Sequence, residues 1–195
     1  MNWQSIFNPF SRYSEKTLLA IGITFIVINS LTCFYLNVQM DSISHFTDNP
    51  KLSIQNAIFF VIISCTTATI FLYLLALLIN KRTRFIDIAA TVLISQVPNF
   101  FILLFVKLSN MNEIAKNLST RNANAATTIE ITDILLLFAS SIIILALIIY
   151  SFTLLYNGFK TATNFKKWFH IVLFVIALLL FILIHQLYLP ILLNN

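Results

Sequence analysis

A polar stripe over positions 87–99 holds the side chains of this sequence that are best placed for chemistry. It consists of Asp87, Thr91, Ser95, Gln96, Pro98 and Asn99. On a helix the four-residue spacing places the polar groups on one face, and the proline interrupts the backbone hydrogen-bond ladder. Such a stripe can bind or gate a polar ligand, or it can form interhelical hydrogen bonds that average only ~0.6 kcal/mol. The stripe therefore predicts either a functional path or a packed helix contact.

Two further polar side chains, Asn29 and His185, lie within apolar segments of the sequence. An ionisable residue inside a membrane segment is a functional candidate by default. His185 could therefore handle a proton, or it could be a neutral buried side chain held by one or two hydrogen bonds. The apolar segments contain no Asp or Glu that could relay protons to it, and this favours the buried alternative.

Three potential metal ligands, Asp41, His45 and Asp48, follow one another at spacings of four and three residues. On a helix they would share a face and could bind a cation. An Asn-Pro turn signal follows directly, and we predict a polar external loop over 37–54 without a metal site.

Catalytic motifs are absent from the sequence. It contains no HExxH, no P-loop, no other glycine-rich phosphate loop and no pair of carboxylates within an apolar segment. We therefore expect a protein that is not an enzyme and that carries no cofactor.

Five segments free of Asp, Glu, Lys and Arg determine the elements that must position these groups. They are residues 17–40, 52–80, 88–106, 134–159 and 168–195. A helix of ~20 apolar residues crosses the ~30 Å hydrocarbon core, where the backbone must satisfy its own hydrogen bonds. We predict one integral membrane domain over residues 1–195, with an all-α polytopic fold built as a bundle of five transmembrane helices. Their predicted bounds are about 17–37, 55–80, 86–107, 131–156 and 168–193.

The pieces outside the predicted spans are short. Residues 1–16 contain aromatic side chains at three- and four-residue steps, and Asn8 and Pro9 suit the start of a helix. This pattern predicts either a short interfacial segment at headgroup level or a merely ordered start to the first span. The longest loop, 108–130, is predicted to hold only a short helix near 112–118.

Glycine is scarce in the sequence, so GxxxG contacts are excluded and other small residues must mediate close helix packing. Small residues cluster at 64–69 in the second predicted span and at 139–141 in the fourth. We predict close helix contacts at both, and the alternative is a polar substrate path. Gly158 is predicted to cap the C-terminal end of the fourth span. Arg84 and Asp87 are three residues apart, which predicts a local ion pair.

Charge is distributed unevenly between the two sides that five spans create. Eight Lys and Arg residues fall on the side of the N-terminus and four on the other side. The positive-inside rule then predicts a cytoplasmic N-terminus and an external C-terminus. Because the basic residues lie in short loops, we expect contacts with anionic lipid and with a membrane or peripheral protein partner, and none with nucleic acid. The candidates are Lys81, Arg82, Arg84, Lys160, Lys166 and Lys167.

Two segments of the sequence resemble the Yip domain family, named for proteins that interact with Ypt/Rab GTPases. They read RTRFIDIAATVLISQVP at 82–98 and YNGFKTATNFKKW at 156–168, and NPF at 8–10 is similar to small prokaryotic members. The resemblance implies a bundle of five membrane helices with a cytoplasmic N-terminus. Eukaryotic relatives act in vesicle trafficking and bind prenylated Rab GTPases, and they carry a long cytoplasmic N-terminal region that has no counterpart before the first uncharged segment here.

From these features we predict a non-catalytic scaffold or adaptor in membrane organisation, trafficking or membrane-protein assembly. The abundance of Ile and Asn suits an A+T-rich bacterial genome, and we expect the bacterial cytoplasmic membrane. The alternative is a small permease or transport subunit with a polar path along the third span, kinked at Pro98. A water-filled groove that reaches Asn99 would favour the permease, whereas a packed stripe would favour the adaptor.

Overall fold

Five helices that are long and apolar enough to cross a membrane dominate the part of the chain that the structure describes. This computed structural model describes residues 3–109 and 131–193, so the short helix predicted near 112–118 lies outside the described residues. The all-α polytopic fold class is confirmed. The five candidate spans are Glu15–Leu36, Ile54–Ile79, Phe85–Lys107, Ile134–Thr163 and Trp168–Tyr188.

The elements follow one another with short connections, and the third span is divided into two helices. A 3-10 turn at Pro9–Ser11 separates the first two helices. The elements are α1 Trp3–Phe7, α2 Glu15–Leu36, β1 Val38–Ser42, β2 His45–Asp48, α3 Ile54–Ile79, α4 Phe85–Ser95, α5 Val97–Leu108, α6 Ile131–Thr163 and α7 Trp168–Leu193.

A β-hairpin follows α2 where the sequence predicts a polar external loop. Asn37 ends the helix in the left-handed region at φ 56°, and β1 then pairs with β2 in antiparallel register, Met40 opposite Phe46. Every residue of β1 is buried. The loop prediction over 37–54 is therefore wrong for the hairpin, because β1 is enclosed by protein and paired with β2.

This hairpin, residues 38–48, is re-entrant: it folds back between the helices. Ser64 Oγ donates to the carbonyl of Met40 at 3.1 Å, and Ser64 lies ten residues inside α3, about 15 Å from its first turn. Non-helical backbone at such a depth is tolerated where protein encloses it and pairs its polar groups. The two strands pair with each other, and surrounding helices cover them.

The third span, α4 with α5, lies at the centre of the bundle. In its most apolar window 61% of the residues are buried, against 11% in the fourth and fifth spans. Helices α2, α3 and α6 pack around it. A Cβ added to Gly22 would lie 2.5 Å from the Cβ of Leu93, so the glycine permits the close approach of α2 to α4.

Gly158 has a different role from the predicted one. Helix α6 continues past it to Thr163, and Asn164 takes the left-handed conformation at φ 49° directly after the helix. A Cβ at position 158 would lie 2.5 Å from Thr91 Oγ1 and 2.8 Å from Phe10. The prediction of a cap at Gly158 is wrong, because the helix does not end there. The glycine instead allows α6 to pack closely against Thr91 and Phe10.

The two small-residue clusters differ in burial. Ser64, Cys65, Ala68 and Thr69 are buried in close contacts, as predicted. Of residues 139–141 only Ser140 is buried, so that cluster does not form a general helix contact.

The N-terminal segment packs along α6. Tyr150 Oη donates to the carbonyl of Ile6 at 3.0 Å, and Asn157 Nδ2 donates to that of Phe7 at 2.7 Å. The rings of Phe7 and Tyr150 meet edge to face with centroids 5.7 Å apart. These contacts tie the first residues to the fourth span.

Candidate functional site

The third span breaks at Gln96, as Pro98 predicts. Helix α4 ends at Ser95 and α5 begins at Val97, and the N–H of Asn99 bonds to the carbonyl of Gln96 at 3.2 Å. The carbonyl of Ser95 thereby loses its usual partner four residues on. A break inside a membrane helix persists when neighbouring side chains satisfy the freed backbone groups.

A ring of polar contacts, most of them hydrogen bonds, surrounds this break. Gln96 Nε2 donates to Ser95 Oγ at 2.9 Å, and Asn99 Nδ2 donates to Gln96 Oε1 at 2.7 Å. Ser44, at the tip of the hairpin, donates to Asn99 Oδ1 at 3.0 Å and lies 3.2 Å from the hydroxyl of Ser151. Ser151 donates its one hydroxyl hydrogen to the carbonyl of Ser95 at 2.5 Å. Because the hydroxyl hydrogen of Ser44 is directed to Asn99, the ring closes through the contact between the two serine oxygens and not through a further hydrogen bond. The polar ring thus joins α4, α5, α6 and the hairpin.

Asn29 adds α2 to the polar ring. Its Nδ2 donates to the carbonyl of Gln96 at 3.0 Å, and the residue is fully buried. Its Oδ1 is buried with no hydrogen-bond partner among the described residues. The sequence predicts Asn29 as a buried polar residue, and the structure gives it the role of linking the first span to the break in the third.

The predicted stripe therefore separates into three parts. Ser95, Gln96 and Asn99 belong to the polar ring and are 0% exposed. Thr91 is equally buried and donates to the carbonyl of Asp87 at 2.7 Å. Asp87 lies in the first turn of α4 and forms an ion pair with Arg84.

His185 bridges three elements. Its Nδ1 donates to the carbonyl of Asp41 at 2.6 Å, and its Nε2 lies 2.7 Å from Thr67 Oγ1. It connects α7 to the hairpin and to α3, in agreement with the buried alternative. The expectation that no acidic residue lies at this depth is wrong, because the re-entrant hairpin carries Asp41 into the bundle at 2% exposure.

The three candidate metal ligands do not share a helix face. Asp41 Oδ1 lies 2.5 Å from His45 Nδ1, across the turn of the hairpin. Asp48 pairs with Val38 at the other end of the register. Within the described ranges, no group of three His, Cys, Asp or Glu side chains is placed to hold a metal ion.

The predicted basic residues gather at one end of the bundle. This basic end comprises the start of α2, the loop before α4 and the connection between α6 and α7. Five of the six basic side chains are exposed there without an ion pair among the described residues: Lys81, Arg82, Lys160, Lys166 and Lys167.

Arg84 differs from the other five. It forms the predicted ion pair with Asp87: its Nη2 donates to Oδ1 at 2.9 Å and its Nε donates to Oδ2 at 3.1 Å. It also forms an ion pair with Glu15 of α2. Arg84 therefore holds the first and third spans together at the basic end.

Two cavities approach the polar ring from opposite ends. The basic-end cavity has a volume of about 550 Å³ and is lined by residues that include Thr91 and Asp87. The hairpin-end cavity has a volume of about 510 Å³ and is lined by residues that include Ser44 and His45. Ser44 is the ring member that the hairpin-end cavity reaches, and the other ring residues line neither cavity.

Ser44 and Ser151 are the site residues that sequence reasoning missed. Neither belongs to a spacing pattern, and Ser44 comes from a segment read as a loop. The available signal was indirect: Pro98 disrupts the helix and so leaves nearby backbone carbonyls without their usual donors, and a serine on another span is a suitable donor for such a carbonyl.

Comparison with known proteins gives one match. A family model described as the Yip1 domain matches residues 3–185, which include every member of the polar ring. No curated protein and no solved structure matches the chain.

Proposed function

Since this chain belongs to the Yip1 domain family, we propose that it is a non-catalytic membrane adaptor that presents its basic end to a partner. One observation supports this proposal: the polar groups at the break in the third span are buried in the ring, while exposed charge is concentrated at one end. Asn99, the side chain that a transport path would have to reach, is fully buried.

We place the basic end in the cytoplasm of a bacterial cell, because eight of the twelve Lys and Arg residues lie on that side of the chain. Each exposed basic side chain near an anionic membrane surface contributes ~1 kcal/mol to attraction. The five unpaired residues can therefore hold anionic lipid or an acidic surface of a membrane-proximal protein.

The test replaces Lys81, Arg82, Lys160, Lys166 and Lys167 together by Gln in the full chain. We expect a marked fall in anionic lipid that co-purifies and in protein crosslinked through a photoreactive residue placed in the loop before α4. The matched control neutralises Lys51 and Lys107 at the opposite end, which should leave both quantities unchanged. Equal yields from both variants would overturn the adaptor.

A transport role is the second candidate, and the two cavities favour it. Thr91 of the third span lines one cavity, and Ser44 of the polar ring lines the other. In proteoliposomes, uptake of urea or glycerol should be no faster than in empty vesicles if the adaptor proposal holds. Faster uptake that Asn99→Leu abolishes would establish transport instead.

A further inference from the structure

The basic-end cavity holds a balanced set of charges. Glu15, Lys16, Arg84 and Asp87 all line it. Two cations and two carboxylates give these four side chains a net charge of zero at neutral pH. A ligand that carries both signs of charge can contact both kinds of group.

One part of this cavity offers donors for an anion. The ion pairs of Arg84 use Nε and Nη2, which leaves the Nη1 group to donate elsewhere. Lys16 lines the same cavity, is exposed and forms no ion pair among the described residues. A phosphate diester accepts hydrogen bonds from such a pair of cations.

The other part offers acceptors for a cation. The carboxylate of Glu15 is partly exposed, and the ring of Tyr13 lines the same space. A primary ammonium group donates three hydrogen bonds and is attracted to carboxylates and aromatic faces. Leu18 and Ala90 supply apolar wall beneath the charged groups.

The cavity lies at the depth of lipid headgroups, because two membrane spans begin there, at Glu15 and at Phe85. We propose that the basic-end cavity binds the headgroup of a phosphatidylethanolamine, its phosphate at Lys16 and Arg84 and its ammonium group at Glu15. Phosphatidylglycerol lacks the cation that the carboxylate needs. Phosphatidylcholine has a quaternary nitrogen that cannot donate a hydrogen bond. This site uses none of the five unpaired basic residues of the proposed adaptor surface.

The experiment presents the full-length purified protein with an equimolar mixture of phosphatidylethanolamine, phosphatidylglycerol and phosphatidylcholine, and counts retained lipids by native mass spectrometry. We expect preferential retention of one phosphatidylethanolamine. Lys16→Ala, which breaks no described contact, should lower that retention about fivefold. Glu15→Gln leaves a net positive site and should shift the preference to phosphatidylglycerol.

The control is Lys51→Gln with Lys107→Gln, which should retain the wild-type preference because both residues lie at the opposite end of the bundle, outside the cavity and outside the proposed adaptor surface. Equal retention of the three lipids by the wild-type protein would overturn the proposal, and so would an unchanged preference in both Lys16→Ala and Glu15→Gln. Failure of the adaptor proposal would appear separately, in the variant that neutralises the five exposed basic residues.

Discussion

At the scale of single residues, Gln96 has the most demanding position in the molecule. Its side chain donates to Ser95 and accepts from Asn99, while its carbonyl accepts from Asn29. All four residues are nearly or fully buried, so each unmade bond would cost about 1–3 kcal/mol. Two of these partners are near neighbours in the sequence, and Asn29 links Gln96 to the first span.

Ser151→Ala tests the hydrogen bond from Ser151 to the carbonyl of Ser95. The substitution leaves the buried carbonyl of Ser95 without a donor and should cost about 1–3 kcal/mol of stability. For a chain of this size that lowers Tm by about 2–4 °C per kcal/mol, measured by thermal unfolding in detergent.

Ser141→Ala is the matched control on the same helix. Ser141 is exposed and bonds only to the carbonyl of Leu137 within α6. Its loss should change the free energy of unfolding by no more than a typical surface substitution does, about 0.5 kcal/mol. Equal effects of the two substitutions would contradict a structural role for the polar ring.

Gly158→Ala tests close packing at the basic end. Alanine is the better helix former by about 1 kcal/mol, but its Cβ would clash with Thr91, and overpacking costs about 1–3 kcal/mol. We expect net destabilisation in the same thermal assay. Adding Thr91→Ala should recover part of the loss, and a gain in Tm from Gly158→Ala alone would show that the contact is not close.

At the scale of elements, the five spans are predictable because hydrocarbon imposes length and composition on each of them. The Arg84–Asp87 pair is predictable because its members are neighbours on one helix. The hairpin is not predictable in this way. Its partners Ser64 and His185 lie far along the chain from β1, and no local pattern indicates that Asp41 is enclosed by protein.

His185→Ala tests the attachment of the hairpin to α7. The substitution removes the donor to the carbonyl of Asp41, so strand β1 should open more often. We expect faster amide hydrogen exchange in residues 38–42 than in the wild-type protein. Gln186→Ala is the control, since this neighbour makes no described contact with the hairpin, and identical exchange in both variants would contradict the bridge.

At the scale of the whole molecule, the proposed function depends on which end of the bundle lies in the cytoplasm. Charge predicts that the loop at 80–84 lies in the cytoplasm and that the end of the hairpin lies outside. A cysteine at Arg82 should react with an impermeant thiol reagent only in inverted vesicles, and one at Lys51 only in intact cells. Labelling of both from one side would contradict this orientation. The native Cys33 and Cys65 are buried and should contribute little background.

The adaptor proposal is tested most directly by asking whether water passes the polar ring in the third span. Ser95→Cys and Ser151→Cys replace each hydroxyl by a slightly larger thiol, which is a weaker hydrogen-bond donor. In native membranes, neither thiol should react with a small water-soluble reagent supplied from both sides, whereas a cysteine at the exposed Lys107 should react readily. Rapid labelling at position 95 or 151 would show an open aqueous path through the third span and would contradict the sealed ring on which the adaptor proposal depends.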